Sequence, residues 1–382
     1  MNKKYVFLPV SAGALIVAGV CAANFLANRA VPEFTYNEPS ETLSAPVVTD
    51  DDSEANTTPP ETTEDIPAES GKAPSAKTEK AMLCGDPQHS IYAEYDGAVL
   101  TVSGTCPETM SISALLASDT AQIPDEIRNG SEYTLKFNTQ NKAGDVIELE
   151  MFFGNGSGLV YDYKFYTDGS AIIEGDFSAV REINEASLDN ATELSSEYTA
   201  EYILPDGTAE QRAEILSQVR GLSDRICEGI TDDYDKARAL AEWVSVNIYY
   251  DFDARHDSVD METVSLSHVL ETHRTVCIGF ANLYAALCSA QDITCYSVNG
   301  DALRGEFDYA KRLEHTALHE WNIVVIDGRK INVDTVWDTT NAYSGGQYNP
   351  GEVYGKFFDA GDILFSQGHR ARKTELRDYF GQ

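Results

Sequence analysis

The sequence predicts an α+β protein, a small all-β domain followed by a mixed domain in which helices precede an antiparallel hairpin. Three observations predict this. Short alternating apolar runs separated by turn signals fill residues 83–190. From Thr208 onward the apolar period changes to three and four residues. A cysteine that opens a helix, Cys277, is then followed by a histidine and an aspartate, His319 and Asp334, on two successive strands.

Residues 1–30 read as a targeting segment. Lys3 and Lys4 precede a mostly apolar stretch from Tyr5 to Ala27, and Arg29 closes it. As a helix it would cross a hydrocarbon core of roughly 30 Å. The expectation is an uncleaved membrane anchor with Lys3 and Lys4 inside and the bulk of the chain extracytoplasmic. A cleaved signal, with Cys21 and Ala23 as small residues at the cleavage site, would make the protein secreted.

Residues 31–82 are acidic, Ser/Thr/Pro-rich and nearly free of aromatics, as in Asp50-Asp51-Asp52 and Thr57-Thr58-Pro59-Pro60. Such a segment buries too little apolar surface to offset chain entropy, so a disordered stalk is expected. The whole chain of 382 residues carries a formal charge of -34, from 62 acidic against 28 basic residues. That charge excludes nucleic acid as a partner and suits a monomer that must avoid self-association.

Within 83–190 the alternating runs Ser90–Tyr95, Val99–Ser103, Tyr133–Phe137, Val146–Phe153 and Leu159–Phe165 are punctuated by Asp96-Gly97, Ala143-Gly144-Asp145 and Asp168-Gly169. Short strands at this spacing predict a sandwich or barrel. Nothing in the segment carries chemistry, and it reads as a spacer or recognition module. Cys84 and Cys106 flank a strand pair, and either a disulfide or two free thiols fits them. Cys227, Cys288 and Cys295 sit among apolar neighbours and read as core residues.

The second domain, residues 200–382, opens with helices over Ala209–Cys227 and Tyr234–Tyr249. The second of these stacks Ala237, Leu240, Ala241, Val244 and Ile248 on one face. A further helix is expected over Ser265–Glu271, and one from Cys277 to Ala290. There Gly279, Ala281 and Ala285 are small enough to approach a sheet, while Phe280, Leu283, Tyr284 and Leu287 supply a buried face. A strand at Ile293–Val298, a polar loop, and two strands at Glu320–Ile326 and Lys330–Val333 follow, the last two joined by Asp327-Gly328. The tail from Tyr343 reads as Gly-rich and irregular.

The hairpin sets the spacing of two candidate residues. With a two-residue turn Ile326 pairs with Arg329, which makes His319 and Asp334 diagonal neighbours. A four-residue loop would place them directly opposite. Either register keeps them roughly 5 to 8 Å apart at the backbone, within reach of a hydrogen bond between side chains. A thiol at a helix N-terminus beside a histidine is favoured as its thiolate. Cys277 as nucleophile, His319 as its proton partner and Asp334 as the group orienting the imidazole therefore form a candidate catalytic triad for acyl transfer through a thioester. The Cys277 backbone N–H would hold the oxyanion, with Tyr249 or Tyr250 as possible second donors.

Thr275-Val276-Cys277-Ile278-Gly279-Phe280-Ala281, His319-Glu320-Trp321-Asn322 and Asn332-Val333-Asp334 resemble, in this order, the three blocks of the transglutaminase-like core. Ala239–Asp251 is similar to the helix leading into that core in bacterial members. The resemblance spans Ala209 to Asn341 and implies a papain-like fold, with the cysteine helix packed on an antiparallel sheet that carries His319 and Asp334. Two positions depart from the pattern. Thr275 stands where the family often has glycine, and Glu320, where it often has alanine or serine, is expected to bear on the charge of the entrance. Animal members depend on calcium, but no loop of spaced carboxylates is present here. No cofactor and no metal are expected.

Each of these residues also has a simpler reading. Cys277 alone would read as a buried thiol. His315 and His319 would share a helix face as metal ligands do, but the apolar strand after His319 opposes a helix there. His273 is expected to face solvent, Asp338 to serve a turn, and Trp321 and Trp337 to form core and groove walls.

The expected function is an extracytoplasmic cysteine enzyme acting on peptide or protein substrates at amide or isopeptide bonds, with water or an amine resolving the thioester. A catalytically inactive binding module on the same fold, and a structural envelope protein, are the alternatives.

Overall fold

The computed structural model describes residues 77–380 except 79, 88–89, 107–111, 117–118, 122–130, 154–158, 174–176, 258, 304–311 and 313–315. The expected anchor, and the stalk up to residue 76, lie outside the described residues. Among the described residues no helix is long and apolar enough to cross a membrane.

Two antiparallel sheets come first. One orders Ala81–Cys84, Ile91–Tyr95, Val99–Cys106 and Ser131–Asn138. The other orders Lys77–Thr78, Ile172–Ile173, Leu159–Asp168, Ala143–Phe153, Ile112–Leu116 and Asp119–Ala121. Alternation drives both: in Ser131–Asn138 every second residue from Tyr133 is buried and those between are exposed. Pairing starts at Lys77, inside the stretch assigned to the stalk.

The chain then turns helical earlier than its β-rich reading allows. Phe177–Asp189 is a helix anchored by buried Phe177 and Val180. Ala209–Ile226 starts at a capping box between Thr208 and Gln211, and Asp233–Asn247 at an Asp232 cap. Asp233–Asn247 packs Ala237, Leu240, Ala241 and Val244 against the cysteine helix, Cys277–Ser289.

A five-stranded sheet receives that helix, in the order Thr192–Glu193, His369–Leu376, Thr294–Leu303, Thr316–Ile326, Arg329–Val333. Thr316–Ile326 and Arg329–Val333 pair in the two-residue register, Ile326 opposite Arg329. Asp327 and Gly328 both have positive φ, as a twist-matched hairpin turn requires. The strand His369–Leu376 lies within what reads in sequence as an irregular tail.

Both faces of this sheet are covered. Val324, Ile331 and Val333 join the cysteine helix in one apolar cluster. Val298, Trp321 and Ile323 face the other way, into a second cluster shared with Ile91, Leu100, Val102, Leu149 and Phe165 of the N-terminal sheets. Each large apolar side chain so buried contributes roughly 1.5–3 kcal/mol. Gly300 lets Trp321 lie against the backbone, since a Cβ there would come 2.5 Å from the indole and 2.3 Å from the Arg370 carbonyl oxygen. Buried Asp86 adds a polar tie to this packing, taking a 2.6 Å hydrogen bond from Arg238.

Candidate active site

Cys277 is the first residue of its helix, half-buried and reduced. The preceding Val276 is extended and makes no side-chain cap hydrogen bond to the first turn. The strand Arg274–Thr275 delivers the cysteine and pairs in parallel with Tyr249–Asp251. Thr275 is fully buried and donates to the Thr263 carbonyl at 2.7 Å. Its side chain fills the space over Gly279, where a Cβ would sit 2.0 Å from Thr275 Oγ1. The threonine is thus accommodated by a glycine four residues later.

His319 reaches Asp334 with Nε2 at 2.7 Å from Oδ2, both residues buried. The Cys277 sulfur lies close enough to act on the same ring. With Nε2 committed to the carboxylate, Nδ1 is the nitrogen left for the thiol. Burial disfavours the imidazolium, but the Asp334 carboxylate and the Cys277 sulfur outweigh it, and the His319 pKa is raised to about 10. Burial likewise opposes ionisation of Asp334, yet His319 and His369 hold its carboxyl well below the usual range. Trp337 stacks on the His319 ring at 5.5 Å and 24°.

Asp334 is fixed at both oxygens. Oδ1 accepts the backbone N–H groups of Val336 and Trp337 at 2.9 and 3.0 Å. Oδ2 meets His319 and a second imidazole, His369 Nε2, at 2.8 Å. Sequence reasoning missed His369. It begins a strand, His-Arg-Ala-Arg-Lys-Thr-Glu-Leu, whose charge density hides its pattern, because the buried positions are His369, Ala371 and Thr374. The one available signal was a histidine at an inward position beside alternating charges.

The ligating atoms of His319, Asp334 and His369 lie within 4.8 Å of one another. The 2.7 and 2.8 Å contacts are those of charge-assisted hydrogen bonds. Ligand atoms on a tetrahedral ion with bonds of about 2.0 Å stand roughly 3.3 Å apart. The three form a hydrogen-bonded set.

Other candidates fall elsewhere. Glu320 is not at an entrance: it is 3 % exposed, on the helix-facing side of its strand, in an ion pair with Arg377 at 2.7 Å. Burial raises its pKa and Arg377 partly offsets this. His273 is not a solvent-facing loop residue but a half-buried, left-handed C-cap of the helix Leu266–Thr272, and burial lowers its pKa. Asp338 serves a turn, accepting from Phe357 N at 2.9 Å, with burial pushing its carboxyl well up. Tyr249 packs edge-on against Tyr348, and Tyr250 lies tilted against Phe252. Residues 316–326 form a strand, which removes the helix face that His315 and His319 would have shared, and His315 itself lies outside the described residues. Cys84 is a buried free thiol, and the side chain of Cys106 lies outside the described residues.

Residues 220–335 match the transglutaminase-like superfamily core. The kyphoscoliosis peptidase of Mus musculus is 27% identical over 179 residues, 43% of this chain and 24% of its own length. That of Homo sapiens is 29% identical over 126 residues, 30% of this chain and 17% of its own. The chain therefore spans a quarter or less of these relatives. Among solved structures, a TGase aligns at 19% identity and a TM-score of 0.29, covering 39% of each chain. A candidate cysteine protease from Cytophaga hutchinsonii aligns at 13% and 0.26, covering 78% of this chain and 89% of its own.

Proposed function

From a chain that carries a transglutaminase-like domain, we propose a cysteine enzyme that cleaves amide or isopeptide bonds of peptides or proteins through a thioester. The observation that carries this is one constellation: a half-buried thiol at a helix start, next to an imidazole that a buried carboxylate orients. Cys277, His319 and Asp334 take the roles of nucleophile, general acid–base and orienting group, in a papain-like arrangement of helix and sheet.

In the first step Cys277 Sγ attacks the carbonyl carbon, the C–S bond forms and the C–N bond breaks. His319 gives its proton to the departing amine. The backbone N–H groups at the start of the cysteine helix supply donors for the oxyanion. In the second step water adds to the thioester, His319 takes its proton, and the C–S bond breaks to free the acid and restore the thiol. An amine in place of water would give a new amide by the same route. The peptidase designation of the relatives favours water. The lysines and apolar run at residues 1–30 support an address outside the cytoplasm, where envelope peptides and proteins are the available substrates.

The test is a peptide-library digestion run with and without a primary amine, read by mass spectrometry for cleavage, ammonia release and amine incorporation. Cleavage lost in Cys277→Ala supports the reading. Incorporation with ammonia release would reassign it to acyl transfer. Neither, from a folded protein whose Cys277 alkylates no faster than a free thiol, would return it to a binding module.

A further inference from the structure

His369 lies outside the matched domain, yet it touches the carboxylate at the centre of the site. Its ring is fully buried and held on several sides. Phe365 stacks on it at 3.8 Å and 11°, Trp337 lies at 4.3 Å, and Trp321 meets it edge-on at 5.0 Å. Nδ1 lies 3.1 Å from the Phe365 carbonyl oxygen, and Nε2 2.8 Å from Asp334 Oδ2. A carboxylate oxygen accepts, so Nε2 is the donor to it. Trp337 bridges the two imidazoles, since it also stacks on His319. A buried histidine that donates to a carboxylate from within an aromatic cage is more than core filling, which an apolar ring would accomplish without polar atoms to satisfy.

Asp334 can orient His319 only if the carboxylate itself cannot rotate. The two backbone donors fix Oδ1, and the position of Oδ2 is shared between the two imidazoles. We propose that His369 is a positioning residue of the catalytic centre, clamping Asp334 Oδ2 from a rigid aromatic cage so that His319 is held on Cys277. This rests on the triad reading above and extends it to a fourth side chain, supplied by a strand far along the chain.

The ionisable groups around the clamp are Cys277 at the helix start, His319 and Glu320 on their strand, Asp334 and Asp338 after the hairpin, and Arg370 beside His369. Glu320 is paired with Arg377, and Arg370 with Asp301. A change confined to His369 therefore reads out through Asp334 and His319.

The experiment is the pH–rate profile of Cys277 alkylation in the full chain, by peptide mass spectrometry, for wild type, His319→Ala, His369→Phe, His369→Gln and His369→Asn. Gln can return a donor to Oδ2; Asn keeps a donor near Phe365 but falls short of Asp334. Labelling of His369→Phe and His369→Asn near pH 6.5 is expected to slow about tenfold. His369→Gln should recover most of the rate. Should His369→Phe fail to fold, the Asn–Gln contrast decides alone. Folded variants with the wild-type profile, or equal rates in Asn and Gln, overturn the clamp. Slow wild-type labelling that His319→Ala leaves unchanged overturns the triad reading itself, and the clamp with it.

Discussion

His319 and Asp334 meet at 2.7 Å across a hairpin whose turn is only Asp327 and Gly328. The short turn fixes the register, and the register brings imidazole and carboxylate together from opposite strands. The contact is therefore inherited from local chain geometry before any long-range packing refines it.

That contact makes stability depend on pH in a defined window. His319 is raised from 6.5 to about 10, so its contribution is full below 6.5, declines above it and is lost beyond about 10. Asp334 is lowered from 3.8, so its contribution is full above 3.8 and is lost as pH falls through its depressed value. In urea titrations the gap between wild type and Asp334→Asn should be largest near pH 5, smaller at pH 8 and smallest at pH 10.5, where the hydrogen bonds from Val336, Trp337 and His369 remain. A gap that grows with pH would contradict the assignment.

Glu320 and Arg377 form an ion pair with both side chains nearly inaccessible, and Arg377 also lies over the Tyr202 ring at 4.4 Å. Removing one charge leaves the other buried and uncompensated. Arg377→Met alone should cost about 3–5 kcal/mol. The double variant Glu320→Gln/Arg377→Met should cost clearly less. Denaturant unfolding of the full cycle measures this, and additive losses would show that the two residues are uncoupled.

Thr275 and Gly279 are paired by space. Gly279→Ala would push a methyl to 2.0 Å from Thr275 Oγ1 and 2.7 Å from its Cγ2, an overpacking that costs about 1–3 kcal/mol. Thr275→Ala in the same chain removes both contacts and should recover part of the loss in a thermal melt. A double variant no better than Gly279→Ala would locate the strain elsewhere.

The N-terminal sheets share an apolar cluster with Val298, Trp321, Ile323 and Phe365. Deleting residues 77–173 should expose these side chains, bind a hydrophobic dye strongly and abolish a cooperative melt. A truncated chain that melts cooperatively near the full-length temperature would show that the helical side carries enough core alone.

Legibility followed pattern strength. The cysteine helix and the hairpin stand where the spacing puts them, because strong apolar periodicity leaves few alternatives, and of the two registers the sequence left open the hairpin takes the two-residue one. The helix Phe177–Asp189 was hidden because only Phe177 and Val180 are buried, too few to impose a period. His369–Leu376 was hidden by its arginines and lysine, which are tolerated because Arg370 and Arg372 pair with Asp301 and Lys373 with Glu375. Glu320 was misplaced because strand alternation says which face a side chain takes, but not that Arg377 waits there.

The sheet's order has a consequence for the timing of synthesis. His369–Leu376 is the last of its five strands in chain order, yet it occupies an interior position. A nascent chain that has already made Cys277, His319 and Asp334 still lacks the strand beside Thr294–Leu303 and the ring that holds Asp334 Oδ2. The full set of contacts on Asp334 therefore waits for a residue made 35 positions after it.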